Sequence, residues 1–160
     1  MSSVLIQTAA AVVSALNGAA DGTFLFRFEA ERSFADWELP LEDAAPSDRV
    51  LVDVTPVPPM EMELESRGGS IAYQPAVDII TRFRLGPERR EADGKLSLQE
   101  LDGLTEFVEQ LAEYFVTDTI GTDIRWQASE IRRAFVPTHL HKHHQFTGIV
   151  RVTFNFTKDP

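Results

Sequence analysis

Four histidines stand within six positions near the end of the chain, at His139, His141, His143 and His144. Alternating imidazoles on a strand would share a face, and neutral imidazoles suit zinc, nickel or copper. A metal-dependent enzyme is the chemistry that His139–His144 would offer. No carboxylate lies inside the cluster, and it follows Pro137 in a polar stretch between two apolar patterns. A solvated loop is therefore expected there, and no metal ligand is assigned. Arg89–Glu100 imitates a calcium loop around Gly94, with Glu91, Asp93, Ser97 and Glu100 at ligand positions. Its first ligand position is Arg89, which cannot coordinate a cation. A turn into a capped helix fits the same residues better.

The remaining searches for chemistry end quickly. There is no G-x-S-x-G elbow, no G-x-G-x-x-G and no Walker sequence. Arg67-Gly68-Gly69-Ser70 reads as a turn. Arg82, Arg84, Arg89 and Arg90 sit among acidic residues without interleaved aromatics, so a charged rim is expected and not a nucleic-acid groove. No catalytic residue, metal or cofactor is assigned, and the chain is not expected to be an enzyme.

Composition points the same way. The 160 residues have room for one domain of ordinary size, and 43% apolar with 25% charged content is that of a globular protein. Without cysteine, disulfides, thiolate catalysis and cysteine metal sites are excluded. No apolar run approaches the roughly 20 residues of a membrane span. The N-terminal apolar segment lacks any Lys or Arg before it and is broken by Gln7 and Thr8, which argues against a secretion signal. A net charge of −10 repels phosphate, so no sequence-specific nucleic-acid partner is expected. That charge is unevenly laid out. Residues 1–65 hold 3 basic and 12 acidic side chains, whereas residues 123–160 hold 6 basic and 3 acidic. A polar subunit of this kind suits head-to-tail contact with copies of itself.

The spacing predicts a helix over Ser2–Asn17, with Leu5, Ala9, Val12, Val13 and Leu16 on one face. A half-buried strand is expected over Thr23–Ser33, where Phe24, Phe26, Phe28 and Ala30 alternate with charged residues. A second follows over Arg49–Val54, ended by Pro56, Pro58 and Pro59. Met60, Met62 and Leu64 alternate with Glu61, Glu63 and Glu65, and a Gly-Gly turn leads into a strand over Ile71–Leu85, which reads as a hairpin. Ser97–Val116 is the clearest helix: Leu98, Leu101, Leu104, Val108, Leu111 and Phe115 make its stripe, and Ser97 with Glu100 have capping-box spacing. Strands over Asp123–Val136 and Gln145–Thr157 close the chain, separated by a loop or one helical turn. The predicted fold is α+β, a single mostly antiparallel sheet of four to five strands packed with two helices. The acidic, proline-flanked arm should be an edge strand. Met60, Met62 and Leu64, with Arg67 behind them, are the candidate subunit-contact residues. Either a neighbouring copy covers that edge or the arm folds back on its own sheet.

This layout resembles the tail terminator (tail completion) proteins of long-tailed bacteriophages over nearly the whole chain. The resemblance is carried by the opening helix VLIQTAAAVVSALN, the strand at Phe26–Phe34 and the proline-ended strand at Val50–Pro56. It continues through the acidic arm Glu61–Arg67, Val77-Asp78-Ile79-Ile80, Leu101-Asp102-Gly103-Leu104 and Gln145-Phe146-Thr147-Gly148. The Met60–Leu64 alternation and the histidines are not features of that family. The resemblance implies a virion protein, made in the host cytoplasm, that closes into a ring, typically a hexamer, at the head-proximal end of the tail. It implies as partners the chain itself, the tail tube protein and a neck or connector protein, with the genome passing through the ring and no membrane involved. A stopper or joining protein of the neck is the alternative, also a small sheet protein acting in a ring.

Overall fold

Apolar residues at every second position cannot bury one face until a layer covers them, and here two helices supply it. The structure, a computed structural model, describes residues 3–34, 36–42, 45–46, 48–64, 69–86, 97–116, 120 and 123–158. Within them the order is α1 (Val4–Asn17), β1 (Ala30–Arg32), β2 (Leu51–Leu64), β3 (Ile71–Arg84), α2 (Leu98–Tyr114), β4 (Ile124–Arg133), α3 (Pro137–His143) and β5 (Gln145–Lys158). The five strands form one sheet in the order β1-β2-β3-β5-β4, antiparallel except for the short parallel pair of β1 with β2. It is an α+β fold with one sheet packed against helices.

The helix-covered face carries Val52 and Val54 of β2, Val77, Ile79 and Phe83 of β3, and Val150, Val152 and Phe154 of β5, all buried. Against it α1 lays Val4, Ala9, Val12 and Leu16, and α2 lays Leu104, Phe107, Val108 and Leu111. Ser97 caps α2 by accepting a hydrogen bond from the Glu100 backbone N–H, as its spacing predicts. Leu98, expected in the stripe, is instead 71% exposed, because the first turn of α2 lies beyond the covered face. Along α1, Leu5 and Val13 are half-buried, and Val4 and Thr8 take the interior positions; Thr8 returns its hydroxyl to the Val4 carbonyl.

Three expectations are corrected. Only Ala30–Arg32 of the predicted Thr23–Ser33 strand pairs with the sheet. The Asn17 side chain takes both backbone groups of Ala30, accepting from its N–H at 2.7 Å and donating to its carbonyl at 3.0 Å. Phe24, Phe26 and Phe28 do share a side, but their rings pack edge-on against Phe107 of α2. Next, β2 does not end at its prolines. It runs to Leu64 with an irregularity between Val57 and Glu61, because β1 pairs only with Val52–Val54 and the outer edge beyond needs no N–H donor from Pro56 or Pro58. Third, Pro137–His143 is a two-turn helix, with Pro at its start and His144 in the left-handed conformation at its end. The sheet therefore meets three helices.

Gly148 of β5 lies where α2 comes closest. A Cβ there would stand 2.5 Å from Cγ2 of Val108, 3.2 Å from the Phe146 ring and 3.4 Å from the Ala134 carbonyl oxygen. Gly148→Ala is therefore expected to push α2 outward and cost about 1–3 kcal/mol, as overpacking does. Urea denaturation measures it; an unchanged midpoint would show that α2 gives way freely.

Candidate functional site

The histidines do not form one face. In a helix, His139 and His143 meet edge-on with ring centroids 5.9 Å apart, whereas His141 lies elsewhere on the turn. His139 is 4% exposed, and His141 and His143 are exposed. The expected solvated loop is thus a helix with a buried histidine on its inner face. Among the described residues no group of three or more histidines and carboxylates is arranged to hold a metal ion. Of the calcium-like stretch, residues 89–96 lie outside the described residues, and Ser97 and Glu100 serve the helix cap.

What His139 does is structural. Residues 36–42 cross the sheet face opposite α1 and α2, and a hydrogen-bonded chain through Gln145, Thr147 and His139 ties Leu41 to Glu38. The Leu41 N–H donates to Gln145 Oε1 at 2.7 Å, and Gln145 Nε2 donates to Thr147 Oγ1 at 2.8 Å. Thr147 Oγ1 is 2.7 Å from His139 Nδ1, and His139 Nε2 is 3.2 Å from the Glu38 carbonyl oxygen. With the imidazole proton on Nε2, each donor in this chain meets an acceptor. Trp37 tilts over the His139 ring, and Arg84 Nη2 donates to the Leu41 and Glu42 carbonyls. Thr147→Val removes the central hydroxyl and leaves buried nitrogens short of a partner, an expected cost of about 1–3 kcal/mol. Limited proteolysis should then cut near Leu41 sooner than in the parent protein; equal cutting rates would show that the segment holds without the chain.

The rest of that face is ionic. Arg82 pairs with Asp53, and Arg151 grips Asp78 with two bonds, Nε to Oδ1 at 2.9 Å and Nη2 to Oδ2 at 3.1 Å. The Asp78 hydrogen bond raises the Arg151 pKa above its ordinary value, opposed by partial burial and helped by the charges of Asp78 and Glu130. Arg82 and Arg84, read from the sequence as a charged rim, are thus a bridge to a neighbouring strand and a clamp on a loop. Each arginine here has a side-chain or backbone partner. This is cross-strand bracing of paired charges.

The predicted contact residues fall at one side of the sheet. Met62 pairs with Tyr73 and Leu64 with Ile71 across the hairpin, so the arm does fold back on its own sheet. Among the described residues no strand lies on its outer side. Met60 is half-buried against the core, whereas Met62 is 61% exposed and flanked by exposed Glu61 and Glu63. Arg67 lies outside the described residues. The opposite side of the sheet ends, among the described residues, at β4, most of whose residues are exposed, with Ile131 and then Phe135 presented to solvent. Sequence reasoning had not singled out β4. Register irregularities between Trp126 and Ala128 and between Ile131 and Arg133 break its alternation and hide which side chains share a face. No protein-family model matches this chain, and no curated protein matches it.

Proposed function

We propose that the chain is a structural subunit of a bacteriophage tail that closes into a ring on the head-proximal end of the tail tube, stops its growth and joins it to the neck. The observation that carries this reading is a sheet that, among the described residues, has two open sides, each with an exposed apolar residue: Met62 on one and Ile131 on the other. A sheet of this kind satisfies both sides at once by head-to-tail association, which generates rings when the rotation closes. The resemblance to tail terminators supplies the place of that ring, its partners in the tube and neck, and six as the expected copy number. The bracing contacts at Asp53–Arg82 and Asp78–Arg151 fit a scaffold that must stay rigid under assembly.

Deleting the gene from its phage tests the reading. Filled heads beside unjoined tails of irregular length are expected. Tails of normal length, with heads that lose their DNA, would replace the terminator by a stopper.

A further inference from the structure

We propose that in the ring β4 of one copy adds as an antiparallel neighbour to residues 60–64 of β2 in the next, so that the sheets run on from subunit to subunit. The inference rests on the ring reading above and names the surfaces that close it. Strand directions alternate across β2, β3, β5 and β4, so β2 and β4 of one copy run in opposite senses. Placing the next copy beside β4 with the same face up therefore makes an antiparallel pair. On β2, residues Val52–Val54 are taken by β1, and Pro56, Pro58 and Pro59 offer no N–H, which leaves residues 60–64, with alternate backbone groups directed outward, as the proline-free stretch of that edge. No proline interrupts β4, and among the described residues no strand lies beyond it.

The faces also match. Met62 pairs with Tyr73, and Trp126 pairs with Phe154, so Met62 and Trp126 both belong to the helix-covered face of the sheet. Glu63 pairs with Ala72, and Arg125 with Asn155, on the opposite face. Set side by side, the two edges bring apolar to apolar on one face and exposed carboxylate to exposed guanidinium on the other. A slip of one residue would put Glu63 against Trp126 and lose both. Two like edges meeting would set Glu63 against Glu63 or Arg125 against Arg125, so the charges favour the head-to-tail pair.

The chain has no cysteine, so single cysteines report the contact directly. Glu63→Cys protein is mixed with Arg125→Cys protein and joined with a short bismaleimide. A mixed cross-linked dimer is expected, with neither variant linking to itself. Absence of the mixed product, or self-linking of Arg125→Cys, overturns the pairing. A second measurement uses charge. Glu63→Arg should weaken self-association about 10-fold, and adding Arg125→Glu should restore it; a double variant no better than the single overturns the pairing. A ring on the tube end without the mixed cross-link defeats this inference and leaves the ring reading standing. A mixed cross-link in protein that never stops tube growth defeats the terminator reading and leaves the pairing standing.

Discussion

Phe107→Ala is expected to be the most damaging single truncation in the chain, at about 3–5 kcal/mol. The ring is fully buried and receives Phe26 at 5.5 Å and Phe28 at 5.4 Å between centroids, with Phe24 at 6.0 Å, all edge-on. It joins α2 to a segment with no ladder bonds of its own. Two further ties hold residues 24–28 to α2: the Leu25 N–H donates to Gln110 Oε1 at 2.9 Å, and Phe24 packs on Tyr114 with ring centroids 5.1 Å apart. Loss of the ring should thus lower global stability and release residues 24–28 first. Denaturant melts give the first quantity, and amide hydrogen exchange at Phe24–Phe28 gives the second. Leu111→Ala, at another fully buried position of α2, should cost about 2–5 kcal/mol without that local release. Equal exchange in the two variants would mean that the rings do not hold the segment.

The second large effect is on assembly. Met62→Glu places a third carboxylate between Glu61 and Glu63 on a side chain that is already mostly in water. Folding stability should therefore change by no more than about 0.5 kcal/mol. Association with the next copy should be lost, since an apolar contact becomes a charge facing the interface. Melting temperature and native mass, measured on the same sample, separate these two outcomes. Unfolding of the variant would show that Met62 packs internally, and an unchanged oligomer would remove this edge from the interface.

Periodicity exposed those elements whose burial is local and one-sided. Ser97 and the stripe through Leu104, Val108 and Leu111 define α2, and Val150 to Phe156 define the second half of β5, because each of these stretches is buried on one side only. The same signal misled at Phe24–Phe28, since alternation reports which side is buried and says nothing of whether the backbone is paired. Pro56 read as a strand end because the free outer edge of β2 is set by how short β1 is, a fact about another segment. His139 was out of reach for a related reason: its partner carbonyl belongs to Glu38, 101 residues earlier, and a two-turn helix leaves too few residues to show a period. Of the candidate surface, Met62 was visible as an alternating edge residue. Its proposed counterpart on β4 depends on strand order, which no single strand encodes.

The role proposed for this chain is to end a tube. Purified tail tube subunits polymerising with and without the chain, followed by electron microscopy, measure it most directly. Added protein is expected to arrest elongation, narrow the length distribution and appear as a ring at one end of each tube. Tubes that keep growing, with bare ends at every concentration of the chain, would contradict it.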